Sequence, residues 1–209
     1  MKQNFKTFLE SASFNIDDFA EDCREYLSII GSSEKVLFHG SYDKVKDFKI
    51  EQFKERTRPR DSSTEVHNTA NNFLFDKFGI EARNWLFVTG ELGVAASYGQ
   101  NLSDIYAIFP IGPLKWIYSL DIDDLTQVVD KIKVKIGMSH INLEGDEIEE
   151  LLDDELLKTL QQAKWVKDEN LLAGINSRNE IMLKCNSFYK VNIKSSTYIN
   201  IIQPYLEQL

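Results

Sequence analysis

The chain has 209 residues, of which 43% are hydrophobic and 27% charged, and its formal net charge is −9. This composition suits one folded domain rather than a disordered chain, and the acidic balance argues against a nonspecific grip on nucleic acid. With only two cysteines, no apolar core of signal-peptide length near the first residue and no apolar run of the ~20 residues that span a membrane, we expect a soluble, cytoplasmic protein without a disulfide framework.

Residues 1–31 are predicted to form N-terminal helices. Asn15 is a plausible N-cap, because its side chain can accept a hydrogen bond from the first turn. Asp17 and Asp18 fall in that first turn, where the helix dipole favours negative charge. Gly31 follows the last apolar position, as expected just beyond a helix end.

The next segments alternate between strands, a loop and short helices. Residues 35–39 predict a short strand ending at Gly40, and the polar residues 51–69 predict a long loop. Residues 70–78 predict a helix closed by Gly79. The remaining predicted elements of this region are a strand over 85–88 and a short helix over 92–98.

The second half of the chain predicts strands around a helical insert. Residues 121–167 are strongly charged and carry two apolar stripes at helical spacing. Strands are predicted over 105–109, 115–120, 171–175, 180–185 and 188–193. Because strands surround the insert rather than alternating strictly with helices, we expect an α+β fold over a single domain, 1–209.

Two aromatic residues bracket a helix of small residues. Phe87 ends a predicted strand, and Tyr98 follows with ten residues between them. The intervening helix contains Gly93, Ala95 and Ala96, so it can lie close to the strand. Two rings placed in this way can hold a flat ring between them, or they can be core residues.

Two further segments carry polar residues at strand ends. His39 and Gly40 close the strand over 35–39, and Glu180 opens an apolar strand after a polar turn. Taken alone, His39 fits a structural histidine. Taken alone, Glu180 fits a charged residue at the edge of a sheet. The order of the three segments along the chain carries more information than any one of them.

The ordered set His39-Gly40, Phe87, Tyr98 and Glu180 resembles the mono-ADP-ribosyltransferases, in the branch that includes diphtheria toxin and exotoxin A. That branch has a strand-borne His-Gly, two tyrosines with ten residues between them around an alanine-rich helix, and a glutamate opening a later strand. The resemblance covers about residues 35–193. It implies a split mixed β-sheet core with flanking helices and a helical insert, and NAD as co-substrate.

The resemblance also implies a role for each matched residue. His39 would bind the adenosine-side ribose of NAD, and the backbone of Gly40 would hold the nicotinamide carboxamide. Phe87 and Tyr98 would enclose the nicotinamide ring. Glu180 would be the catalytic residue, because a carboxylate beside the other ribose stabilises the positive charge that develops as the glycosidic bond breaks.

The loop over 51–69 contains a basic cluster formed by Arg56, Arg58 and Arg60. These side chains either pair with acidic neighbours or contact the NAD pyrophosphate or a macromolecular acceptor, since arginine forks suit phosphate. Arg56 and Arg60 are the expected contacts to NAD. The overall run of the chain, including residues 58–61 and 109–112, also looks like small proteins encoded by tailed bacteriophages. The expected acceptor is therefore a macromolecule, such as a host protein, in the bacterial cytoplasm.

Two departures from the family pattern leave the reaction open. Phe87 replaces a tyrosine, and Arg178 stands where arginine-modifying relatives carry an acidic residue or Gln. A non-catalytic binding protein of the same fold and an NAD glycohydrolase that uses water as acceptor are the alternatives. His67 and His140 lie in polar segments and are expected to be solvated, and the scattered histidines predict no metal site.

Overall fold

In the computed structural model of the chain, the described residues are 13–31, 33, 35–56, 62–98, 104–139 and 145–209. They form helices and two four-stranded sheets, which confirms the predicted α+β class. The helices are α1 (Ile16–Asp22), α2 (Arg24–Ile30), α3 (Thr64–Phe78), α4 (Leu92–Ser97), α5 (Leu125–Ser139), α6 (Gly145–Gln162), α7 (Leu171–Asn176) and α8 (Gln203–Leu206), with a 3-10 turn at Ala82–Asn84 and a π-helical turn at Tyr198–Ile202. The strands are β1 (Leu37–Gly40), β2 (Phe48–Gln52), β3 (Leu86–Val88), β4 (Ile105–Ile111), β5 (Lys115–Ser119), β6 (Trp165–Lys167), β7 (Ile181–Lys184) and β8 (Ser187–Asn192).

The strands divide into two sheets that meet at one point. The first sheet has the order β1-β4-β8-β2 and the second β3-β7-β5-β6, and the pairings in the described residues are antiparallel. Phe38 and Thr89 exchange two backbone hydrogen bonds, of 2.7 and 3.0 Å, between the edge strands β1 and β3. We call this pair the sheet junction, and it brings the ends of the two strands together.

The second sheet is buried on both faces. Ile181 and Leu183 of β7 pack into a core shared with the first sheet and helices α1 and α2, whereas Met182 between them packs into a second core. Alternate residues of a strand point to opposite faces, so a strand covered on both sides has consecutive apolar residues. Phe87 of β3 belongs to the second core.

The predicted helical insert covers one face of the second sheet. Both apolar stripes predicted for residues 121–167 pack into the second core, which confirms them. The end of the insert differs from the prediction, because Trp165–Lys167 forms strand β6 beside β5. The insert therefore closes the outer edge of the sheet as well as its face.

The N-terminal helix signals are confirmed for the described residues. The side chain of Asn15 accepts a hydrogen bond from the Asp17 amide, and Gly31 adopts φ 51° beyond the last turn of α2. The chain between them is two helices rather than one, because the backbone at Cys23 leaves the helical region. The predicted helix positions in residues 1–12 lie outside the described residues.

The predicted loop over residues 51–69 is wrong at both ends. Residues 51 and 52 continue strand β2, which pairs with β8 over five positions. Helix α3 begins at Thr64, where the Ser63 hydroxyl accepts a hydrogen bond from the Val66 amide. The buried face of the first turns of α3 carries the polar residues His67 and Asn71 beside Val66 and Ala70, so hydrophobic periodicity is weak there.

The predicted strand over residues 171–175 is also wrong, because these residues form helix α7. The Asn170 side chain accepts a hydrogen bond from the Ala173 amide and starts the helix. Gly174 faces the Tyr118 ring so closely that an added Cβ would lie 3.1 Å from it. A short apolar run fits a strand or a buried helix equally well, and here the cap and the close packing favour the helix.

Candidate functional site

The sheet junction brings together the residues that the sequence singled out. His39 and Gly40 lie at the end of β1, and Phe87 lies in β3 directly across the junction. A small cavity opens between these strand ends. It is lined by Phe38, His39, Gly40, Phe87, Val88, Thr89, Tyr98 and Glu180, and we call it the junction cavity.

All five residues that matched the transferase pattern therefore line one cavity. They come from four separate segments, and Glu180 joins them because β7 pairs with β3. The cavity has a volume of only about 10 Å³, which is the space of about one water molecule. A ligand larger than water can enter only if side chains move.

His39 is fixed by a hydrogen bond across the junction. Its Nδ1 lies 2.8 Å from the carbonyl oxygen of Phe87. A carbonyl oxygen only accepts, so Nδ1 carries a proton and Nε2 is the acceptor nitrogen of the neutral ring. The ring is half-buried, and the hydrogen bond to the Phe87 carbonyl helps to set its orientation.

The Phe87 ring is covered by two guanidinium groups. The central carbon of Arg56 lies 4.1 Å from the ring centroid, and that of Arg83 lies 4.3 Å from it. Both distances suit a cation–π contact. Stacking of a flat ligand on Phe87 therefore requires at least one guanidinium to move aside.

Tyr98 reaches the site from the end of α4 and is half-buried. Its hydroxyl donates a hydrogen bond of 2.8 Å to Asp124 Oδ2, in the segment that leads into α5. The other oxygen of Asp124 accepts from the Thr126 amide at 2.7 Å. The helical insert thus contributes Asp124 to the site, which the sequence alone did not indicate.

Glu180 lies just before β7 and is nearly buried. Its amide donates to the Asp123 carbonyl at 2.9 Å, and its Oε2 accepts from Arg83 Nη1 at 2.9 Å. The exposed fractions of the Arg83 and Glu180 side chains are 7% and 11%. Burial raises the pKa of Glu180, Asp124 adds to the rise, and Arg83 opposes it.

A network of hydrogen bonds fixes the backbone of Arg83. The Arg83 amide donates to Asn71 Oδ1 at 2.8 Å, and the Asn71 side chain donates to Asn84 Oδ1 at 3.1 Å. His67 Nε2 lies 3.0 Å from the same Asn84 oxygen. The expectation that His67 is solvated is therefore wrong: α3 begins early enough to place His67 and Asn71, one turn apart, on its buried face.

The buried state of His67 predicts a pH effect on stability. Burial lowers the pKa of His67 below its ordinary value of 6.5, and the nearby Arg83 and Arg56 lower it further. The unfolded chain therefore binds the proton more readily, so the contribution of His67 to stability is present above pH 6.5 and is lost as the pH falls through its folded-state pKa.

We expect the melting temperature of His67→Gln to decrease less than that of the wild-type chain when the pH is lowered below 6.5. Glutamine keeps a donor near Asn84 but does not titrate. Thermal unfolding of both proteins across a pH series measures the difference. Equal slopes for the two proteins would show that His67 does not titrate in this way.

A larger groove continues from His39 on the open side of the junction. Its volume is about 790 Å³, and its cations are Lys49, Lys54, Arg56 and Lys190, with Asp43 and Glu51 among them. Lys190 is buried, and its Nζ donates to Ser41 Oγ at 2.9 Å. We call this the basic groove, and it shares His39 with the junction cavity.

The remaining predicted residues lie elsewhere or outside the described part. Arg56 lies between the two spaces, because it covers Phe87 and also lines the basic groove. Arg58 and Arg60 lie outside the described residues, as does His140. Arg178 is exposed, two positions before Glu180.

Comparisons of the chain with protein-family models, curated proteins and solved structures find no match. Within the described ranges, no group of three His, Cys, Asp or Glu residues is placed to hold a metal ion. Nor does any helix in the described part have the length and apolar character to cross a membrane. An α+β fold alone does not identify a function, so function has to be inferred from the site itself.

Proposed function

We propose that this protein is an NAD-dependent mono-ADP-ribosyltransferase. One observation carries the proposal: His39, Gly40, Phe87, Tyr98 and Glu180, selected by their order along the chain, line a single cavity. Nothing in the composition of the segments requires them to meet. Their convergence is the arrangement that the resemblance to the transferases implies.

The side chains around the junction suit the parts of NAD. The nicotinamide end would lie in the junction cavity, with the Gly40 backbone and Tyr98 beside it. Arg56 would move from the Phe87 ring to the diphosphate, for which a guanidinium is well suited. The adenosine end would follow His39 into the basic groove, which has the volume for it.

Glu180 supplies the chemistry that depends on charge. NAD brings a glycosidic bond between ribose and a positively charged ring, and the ring leaves as neutral nicotinamide with the bonding electrons. A buried carboxylate beside that ribose stabilises the positive charge left behind, and it does so mainly in the transition state. The acceptor then bonds to the ribose carbon and gives up a proton.

The acceptor is proposed to be a macromolecule of a bacterial cell, such as a host protein, for a phage-encoded enzyme acting in the cytoplasm. Arg178 at the position two before Glu180 disfavours an arginine acceptor, because relatives that modify arginine have an acidic residue or Gln there. Water as acceptor would make the same site an NAD glycohydrolase. A binding or inhibitor protein that keeps the transferase fold without catalysis is the other alternative, and a stable partner whose affinity ignores Glu180→Ala and Tyr98→Ala would favour it.

The test is nicotinamide release from NAD by the purified protein, measured with and without a bacterial lysate. Transfer of labelled ADP-ribose to a lysate component supports the transferase. Free ADP-ribose without a labelled macromolecule identifies a glycohydrolase instead. If the wild-type protein neither binds NAD nor releases nicotinamide, the proposal is wrong.

Tyr98 offers a matched pair of variants for the same assay. Tyr98→Ala removes the ring that would contact nicotinamide, and we expect NAD affinity to fall by at least about 5-fold, since one aromatic contact contributes roughly 1 kcal/mol beyond the buried area. Tyr98→Phe keeps the ring and loses the hydroxyl that donates to Asp124. The phenylalanine variant should therefore bind NAD nearly as well as the wild type, and equal losses in both variants would argue against ring stacking.

A further inference from the structure

Arg83 makes the closest charged contact of the proposed catalytic carboxylate. Its Nη1 lies 2.9 Å from Glu180 Oε2, and both side chains are about nine-tenths buried. A buried ion pair gains little stability over apolar residues of the same size, because both groups lose their hydration. A pair of this kind beside a cavity is therefore better explained by its effect on the position and charge of the Glu180 carboxylate.

Arg83 is held in place from several directions. Its backbone amide is fixed by Asn71, and its guanidinium lies over the Phe87 ring at 4.3 Å. Its Nε is buried and has no hydrogen-bond partner among the described residues. Leaving a buried donor unsatisfied costs free energy, so the position of Arg83 is not the one that protein stability alone would favour.

The charges facing Glu180 come from three elements. Arg83 approaches from the 3-10 turn, Arg56 from the segment after β2, and Asp124 from the segment before α5. Asp124 is negative and also holds the Tyr98 hydroxyl. Without Arg83, the Glu180 carboxylate would face the charge of Asp124 in a buried site, and among these charges Arg56 would remain to offset it.

We propose that Arg83 is a positioning residue, which holds the Glu180 carboxylate in its ionised form and directs it into the junction cavity. The inference rests on the proposed function, since it assigns Arg83 a part in the same reaction. It differs from the resemblance to the transferases, whose matched residues do not include position 83. The hydrogen bond fixes one carboxylate oxygen, and the paired charge offsets the loss of hydration.

The test compares Arg83→Met, Arg83→Lys and the wild-type chain in nicotinamide release over a range of pH. Arg83→Met removes the charge, so the acid limb of the profile should move to higher pH and kcat should fall. Arg83→Lys keeps a positive charge but not the geometry of the guanidinium. We therefore expect kcat to fall about 100-fold, because a small misplacement of the Glu180 carboxylate is costly. The acid limb should stay close to that of the wild type. In both variants KM for NAD should change far less than kcat.

A second measurement keeps the inference testable if Arg83→Met is poorly folded. The titration of the Glu180 carboxyl can be monitored by carbon NMR in the absence of NAD. It should give a higher pKa for Glu180 in Arg83→Met than in the wild type. Arg83→Gln can replace the methionine variant. Thermal unfolding checks that each variant is folded. Glu180→Gln identifies the Glu180 signal, because it removes it.

The outcomes separate the two proposals. An active wild type whose acid limb and kcat are unchanged in Arg83→Met and Arg83→Lys would overturn the role of Arg83 and leave the transferase proposal standing. A wild type that does not cleave NAD would overturn both. A shifted carboxyl titration together with a shifted acid limb supports the inference, because a merely structural role would lower the amount of active protein without moving either.

Discussion

Glu180→Gln is expected to lower nicotinamide release by about 10²- to 10³-fold, the usual loss when one electrostatic contact to the transition state is removed. Glutamine has nearly the same shape, so its oxygen can still accept the hydrogen bond from Arg83. What it loses is the negative charge beside the ribose. NAD binding should be largely retained, because the charge acts mainly in the transition state.

The same residue should set the acid limb of the activity profile. Burial raises the pKa of Glu180 above its ordinary value of 4.5, and Arg83 only partly offsets this. Only the ionised carboxylate stabilises positive charge, so activity should decrease as the pH falls through the raised pKa, and the midpoint should lie above pH 4.5. The residual activity of Glu180→Gln should lack this limb.

Glu25→Gln is the matched control, because it makes the same chemical change at an exposed position of α2. It should have the activity and pH profile of the wild type. The kinetics of nicotinamide release and a measurement of NAD binding together test whether Glu180 is the catalytic residue. Wild-type activity in Glu180→Gln would exclude Glu180 as the catalytic residue, whereas loss of both binding and folding would indicate a structural role.

Five residues of the junction cavity could be selected from the sequence, because each is predicted at the end of a strand or on a short helix. His39, Gly40, Phe87 and Glu180 are fixed by strand boundaries, which alternating burial and turn residues indicate. Tyr98 follows from its spacing behind Phe87. These are local signals, and the resemblance of their order to the transferase pattern grouped them.

Arg83 and Asp124 could not be selected in the same way, because their importance comes from long-range contacts. Arg83 is 97 positions from Glu180, and no local pattern links the two. His67 and Asn71 lie on a buried helix face, but their polar side chains gave that segment the composition of a loop. Residues whose partners are distant in sequence are found only when the chain is folded.

The backbone just beyond the sheet junction leaves no room for a side chain. Gly90 follows Thr89, and a Cβ added to it would lie 1.7 Å from the carbonyl oxygen of Ile175 and 2.6 Å from the carbonyl carbon. These are backbone atoms of α7, so they cannot rotate away as a flexible side chain could. The close approach of α7 also explains why position 90 is a glycine although its φ does not require one.

Gly90→Ala is therefore expected to lower the free energy of unfolding by about 3 kcal/mol, at the upper end of the usual cost of overpacking. For a chain of this size that corresponds to a fall of roughly 6–12 °C in melting temperature. Because α7 and the Thr89–Gly90 backbone must separate, the hydrogen bonds of the sheet junction should weaken, and nicotinamide release should fall with them. Urea denaturation and thermal unfolding measure the loss of stability.

Gly93→Ala is the control for this substitution. Gly93 lies three positions further on, in α4, and an added Cβ would meet nothing within 4 Å. Alanine in a helix is favoured over glycine by about 0.5–1 kcal/mol, so this variant should be slightly more stable than the wild type. Equal stability of Gly90→Ala and Gly93→Ala would show that α7 does not closely approach the end of β3. It would also contradict the placement of the junction cavity against the second sheet.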